Sequence, residues 1–484
     1  MNITHSFVSA KADSSDATLI NPSNWNAGHT IVDTSKIRSA WDYVFTQTPG
    51  GSLTAGITNT VTLAPVPVGI NGTNTNHYLY ISGGTGTAEA VLITGGTAVS
   101  GAASGTITFV PANAHSGAWT VAGASGGVQE CIYDCWENAY ACVTKGSCFN
   151  IDNTARTDVS VYAPIYFPPG WGSHYEFAGI NFTLLLDASV YTHAFWIDSM
   201  DFCYISFYHC QAYWPGQNTG ACIFLMKPVN PNGEISTAIT SSTFRFGTVV
   251  PAQVNGIAGS LGIGIRISAL APASVIAGNT ISIGEINGGA YGIYIDEPTA
   301  TYGFNDNRIL DFYIHTQATA GIQIGTTDAL TYGNIFIGNF TDQSGVALKS
   351  YGKRDLFIIN LSGGSGDGII FESTSISNHV ISSYIAIGGT DWTNTGVGNK
   401  FDRSGSVVGA SPTVTASPYT YQNLSGRTQS VLVSGSLTAI SVSVDGSAWI
   451  DTTTPPTNTF LTLVPDMYLK LTYAGAAPVF LTYA

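Results

Sequence analysis

Two carboxylates held about 5–9.5 Å apart, one with a raised pKa as acid and one as nucleophile or base, suffice to hydrolyse a glycosidic bond. β-strands stacked about 4.8 Å apart can bring such a pair together from distant parts of a chain. In the repeating part of this 484-residue sequence the candidates are Glu285, Asp296, Glu297, Asp306, Asp311, Asp367 and Glu372. Glu285 and Asp311 fall six and four residues after Asn279 and Asn307, at near-equivalent points of successive repeats, and form the pair to test first. Asp296, Asp306 and Asp367 stand beside or near Pro, Asn or Gly and read as turn residues. Asp311 reads equally as a solvent-facing strand residue.

Aromatic side chains offer a different chemistry. Between Tyr162 and Trp214, 16 of 53 residues are Phe, Tyr or Trp, against 11% over the whole chain. Trp171, Tyr175, Trp196 and Trp214 are the candidates for stacking on sugar rings, and filling a core or a subunit interface is the competing use. The seven cysteines lie at 131, 135, 142, 148, 203, 210 and 222. Cys131, Cys135 and Cys142 share a helical face with Val128 and Ala139, so they read as buried thiols. A zinc site with Cys148 would lack the usual CxxC pairing, and no metal or cofactor is expected. The chain has no P-loop, HExxH or EF-hand loop, and GGSGDG (363–368) is a turn between strands rather than a nucleophile elbow.

The elements that would carry these residues are strands. Only 10% of the chain is charged, and Gly, Thr, Ser and Asn stand in place of the missing charge, a mixture suited to turns and strand edges. A net charge of −14 argues against nucleic acid or an anionic membrane as partner. No window reaches the roughly 18–20 apolar residues of a membrane helix, and MNITHSFVSAKADSSD lacks the basic and apolar regions of a signal peptide, so cytoplasmic synthesis is expected.

Residues 1–48 form an irregular opening. Period-2 runs broken by Gly pairs over 49–125 predict a small antiparallel β domain. GGVQECIYDCWENAYACVTKGSC then predicts a helix over 128–145. Beyond it GIRI (264–267), GIYI (292–295), GIQI (321–324), GVAL (345–348) and GIIF (368–371) recur at intervals of 28, 29, 24 and 23 residues. NTISIGEI, NRILDFYI, NIFIGNF and DLFIINL each open on Asn or Asp. No crossover helix fits between these segments. A period in the twenties with short β segments and Asn/Gly turns is the pattern of a parallel β-helix, whose coils stack Ile on Ile; a propeller blade needs about 40 residues. The predicted architecture is all-β: a parallel β-helical solenoid over 126–404 with an N-terminal capping helix, a linker at 405–418, and a C-terminal β-sandwich-like module at 419–484.

The opening segment HSFVSAKADSSDATLINPSNWNAGH resembles the head of tailed-phage tail fibre and tail spike proteins, matching their pattern at Lys11, Asp13, Asp16, Thr18, Leu19, Pro22, Ser23, Trp25, Asn26, Ala27 and His29. GVQECIYDCWENA followed by a strand and FPPG is similar to the lid helix and first turn of pectate-lyase-like tail spikes. GTAEAVLITGG…GAWTV and YTYQNLSGRTQSVLVSG look like β modules of the same class. The resemblance implies a right-handed β-helix in a homotrimeric virion appendage. Its N-terminus would dock on tail or baseplate proteins, with Pro22, Trp25, Asn26 and His29 as the attachment peg, and its shaft and distal module would meet a host surface glycan or receptor. A depolymerase on the same scaffold and a structural solenoid unrelated to virions are the alternatives.

Overall fold

The computed structural model describes residues 2–3, 29–30, 36–74, 76–146, 157–216, 220–229, 238–254, 257–258, 261–269, 274–296, 303–326, 331–382, 385–403, 414–424, 428–452 and 458–483. The protein is all-β, 54% strand and 4% helix. Long parallel sheets dominate it: one of 16 strands, one of nine and one of five. The chain visits the three in turn. Thr280–Asn287 belongs to the long sheet, Tyr291–Asp296 to the nine-stranded sheet and Phe304–Asn305 to the five-stranded sheet, and Arg308–His315 then returns to the long one.

GIRI, GIYI, GIQI and GIIF lie in one register, whereas GVAL is offset by two residues, Val346 pairing with Ala320 and Leu348 with Ile322. Ile265 pairs with Ile293, Ile293 with Ile322, Ile322 with Leu348, and Leu348 with Ile369. Upstream the same column continues through Phe224 and Phe195 to Ile165. Every one of these side chains is fully or almost fully buried. A one-residue slip would turn the whole column outward, so the apolar pattern fixes the register. Phe177, Phe182, Phe195, Phe207, Phe224 and Phe246 pack ring against ring in the same core, which accounts for the aromatic density after residue 162.

A second column is polar. Asn279 donates its backbone N–H and Nδ2 to Asn307 Oδ1 at 3.1 and 3.0 Å. Asn307 does the same to Asn334, and Asn334 to Asp355, whose own backbone N–H donates to Asn378; Asn378 donates in turn to Asn399. All six are buried. The Asn or Asp that opens each repeat is therefore a corner bracket, satisfying backbone groups where the chain leaves one sheet for the next.

The helix is shorter than the sequence suggests. It spans Val128–Asn138 rather than 128–145, and Ala141–Lys145 is a parallel strand of the long sheet. Ala139 (φ 53°) ends it in the left-handed conformation, and the Tyr140 N–H bonds back to the Cys135 carbonyl. Strand pairing with Tyr175–Ala178 outweighs the helical spacing of Cys142. Cys131, Cys135 and Cys142 are nevertheless all buried, with the Cys131 and Cys142 sulfurs 3.3 Å apart. Ala139 bears a Cβ in a backbone region that suits glycine, so Ala139→Gly is expected to stabilise the fold by about 0.5–1 kcal/mol, read as a higher denaturation midpoint.

Two further apolar clusters accompany antiparallel sheets. Residues between Leu53 and Val121 form one, and Val431, Val433, Ile440, Leu463, Leu469, Leu471 and Phe480 form the other. The buried His77–Glu130 contact, 3.1 Å, joins the first of these sheets to the helix. No helix among the described residues is long and apolar enough to cross a membrane.

Candidate functional site

The outer face of the long sheet carries a groove of about 640 Å³ crossing three of its strands and the turn after a fourth. Its floor is low because Gly247 and Gly284 stand where neighbouring strands would otherwise project side chains. At Gly247 the fit is tight, since a Cβ there would lie 2.2 Å from the Cys210 carbonyl oxygen. Tyr208 and His209 form one wall, and Arg245, Thr248, Ser282, Leu310 and Asp311 complete the lining. Alternation along a strand normally turns only every second residue outward. A bulge between Ile309 and Phe312 breaks that rule and presents Leu310 and Asp311 together. Asp311 takes φ 59°, a left-handed backbone that Asp tolerates better than most residues.

Asp311 accepts a hydrogen bond from Ser282 Oγ at 3.2 Å. Glu285 stands on the adjoining strand beside Thr248, which donates to it at 3.3 Å, and its other oxygen meets His315 Nε2 at 2.7 Å. The His315 bond holds the Glu285 carboxyl below the usual range, outweighing the partial burial that pushes the other way. The sequence-predicted pair thus lies on neighbouring strands, but each carboxylate has its own partner. An ionised Glu285 is a poor proton donor. Arg245 is exposed and has no carboxylate within ion-pair distance among the described residues.

The stacking candidates divide. Trp171 is 78% exposed and meets the exposed Phe202 edge-on at 6.1 Å. Trp196 is half-buried, its indole N–H donating to the Lys227 carbonyl at 2.9 Å. Tyr175 and Trp214 are corrections: both are at most 2% exposed and belong to the core, because their strands turn these positions inward. Pro22, Trp25 and Asn26 lie outside the described residues, as do Glu297 and Cys148; His29 is described only through its backbone pairing with Ile3. Among the described residues no cluster of three or more His, Cys, Asp or Glu is arranged to hold a metal.

Sequence reasoning missed Arg245, Tyr208 and His315. The bulge that exposes Asp311 has no sequence signature beyond a lone acidic residue in an apolar run. The chain matches no protein-family model and no curated protein.

Proposed function

We propose that the three parallel sheets close into a right-handed β-helix, lidded by the helix Val128–Asn138, and that this shaft belongs to a homotrimeric virion tail appendage which binds a surface polysaccharide without cutting it. In this reading residues 1–48 attach the protein to tail or baseplate proteins, residues 49–125 and 419–484 are separate β modules at either end, and the groove over Arg245 and Asp311 receives the glycan. The unbroken in-register column from Ile165 to Ile369 carries the proposal, since stacked strands of this length make a stiff rod whose side offers a long groove. The N-terminal sequence pattern supports attachment. An outward column, Ile337, Ile358 and Ile381, each 36–38% exposed, supports association with further copies.

Binding is favoured over cleavage because the groove offers hydroxyl, guanidinium and carboxylate groups, while the His315 bond keeps Glu285, the neighbouring candidate acid, ionised. Purified protein incubated with bacterial surface polysaccharide is expected to retain it and leave its size distribution unchanged. Arg245→Ala and Asp311→Asn should each weaken retention about tenfold, roughly one or two lost hydrogen bonds to charged groups. Shortened oligosaccharides that disappear in Glu285→Gln would instead make the protein a depolymerase. Deletion of residues 1–35, which spares the sheet strand Ile37–Arg38 and the buried Ala40 and Tyr43, should leave a folded trimer that no longer enters virions; incorporation of the truncated chain would end the attachment reading.

A further inference from the structure

A smaller cavity lies where Asn76 and Tyr78 meet the strands Ile165–Phe167 and His193–Ile197. It holds about 200 Å³, below the ~300–1,000 Å³ typical of sites for drug-sized ligands, so its occupant is small. Tyr78, Tyr166, Tyr191 and Trp196 line it, with His193 and Asn76. The rings come as two pairs: Tyr78 meets Tyr191 edge-on at 5.6 Å, and Tyr166 lies tilted against Trp196 at 4.8 Å.

The polar ends of one pair are already committed. The Trp196 N–H donates to the Lys227 carbonyl, and the Tyr166 hydroxyl donates to the buried Asp198 at 2.7 Å. What these rings have left to offer a ligand is π surface rather than donors. No Lys or Arg lines the cavity. Burial first, then Tyr78 and the Asp187 and Glu89 carboxylates, raise the Tyr191 hydroxyl, which places two carboxylates on that side. On the other side burial first, and then Lys227, push the His193 imidazole down to about 4, which leaves it uncharged at neutral pH.

We infer that this four-ring cavity is a binding site for a quaternary ammonium group, held by the aromatic faces rather than by hydrogen bonds. A methylated ammonium needs no hydrogen-bond acceptor, tolerates committed walls, and is drawn to π faces and to nearby carboxylates. The inference does not depend on the polysaccharide reading, because it uses a different cavity and different residues.

Choline and its uncharged isostere 3,3-dimethyl-1-butanol, titrated into the full-length protein at constant ionic strength, separate charge recognition from simple apolar burial. Choline is expected to bind saturably in the millimolar range, at least about tenfold tighter than the alcohol. Trp196→Ala and Tyr191→Ala should each weaken choline binding about tenfold. Trp196→Phe, which keeps an aromatic face but loses the bicyclic indole and its N–H, should retain part of it. An unchanged denaturation midpoint in Tyr191→Ala separates loss of the site from loss of the fold. Equal affinity for the alcohol, no saturable choline signal up to about 50 mM, or full choline binding by Tyr191→Ala and Trp196→Ala would overturn the assignment.

Discussion

Replacing Asp355 by asparagine is expected to stabilise the parallel-sheet unit at neutral and alkaline pH by on the order of 2–4 kcal/mol, and to abolish most of its acid-side stability gain. Asp355 is the single carboxylate in a column of buried asparagines. Its Oδ1 accepts both donors of Asn334 at 2.9 Å, as an asparagine would, but its Oδ2 has no partner where its neighbours carry an amide donor. Asn378, for example, directs Nδ2 at the Gly352 carbonyl and at Asn399 Oδ1. A bare carboxylate at this point would face acceptors with an acceptor. Burial accordingly raises the Asp355 carboxyl to about 7, against two hydrogen bonds from Asn334 that pull it down.

The direction of the pH effect follows from that. A folded-state value above the unfolded one of about 3.9 means that the native form holds the proton more tightly. The contribution is complete below about pH 4, declines as pH rises, and is gone once pH passes the folded value near 7. Denaturant midpoints measured from pH 4 to 8 should therefore fall for the native sequence and stay nearly flat for Asp355→Asn. A native curve as flat as the variant's would show that the carboxyl is ionised in the folded protein.

The second large effect is expected at Asn307→Ala. This change strips Asn279 of the acceptor for two donors and the Ile276 carbonyl of its donor, all in a fully buried corner. Each orphaned buried group costs roughly 1–3 kcal/mol, so a loss of about 3–5 kcal/mol is expected, allowing for partial relaxation. Asn360→Ala is the contrast. Asn360 donates to Asn339 at 3.1 Å on the exposed face of the same long sheet, and its loss should cost no more than about 0.5 kcal/mol. Hydrogen exchange of amides in Thr280–Asn287 and Arg308–His315 would read the first, and of those in Ile335–Gln343 and Leu356–Gly364 the second. Equal effects from the two would mean that burial does not govern the column.

Much of this architecture was legible before any coordinates. The recurrence of Gly-Ile-x-Ile at intervals in the twenties leaves few ways to bury the isoleucines except by stacking one repeat on the next, and Ile265, Ile293 and Ile322 do stack. The Asn or Asp opening each segment was visible too, and it marked the corner column at four of its six members. Asn378 and Asn399 escaped notice because their segments, NHVIS and NKFDR, are short and lack a following Gly-Ile-x-Ile. The helix was placed correctly at its start but seven residues too long at its end, since a face of buried cysteines reads the same on a helix and on an inward strand.

Composition, repeat period and the alternation of apolar residues determined that the chain folds as stacked parallel strands, because those features set which atoms leave water and are properties of the chain itself. Which outward residues share a groove was decided only in three dimensions. The bulge at Asp311, the His315 bond that keeps Glu285 ionised and the inward turn of Tyr175 and Trp214 depend on register between segments some 30 residues apart. The apolar pattern of each strand sets its own register, but which outward residues of different strands become neighbours depends on how those strands pack together, and no single stretch of sequence records that.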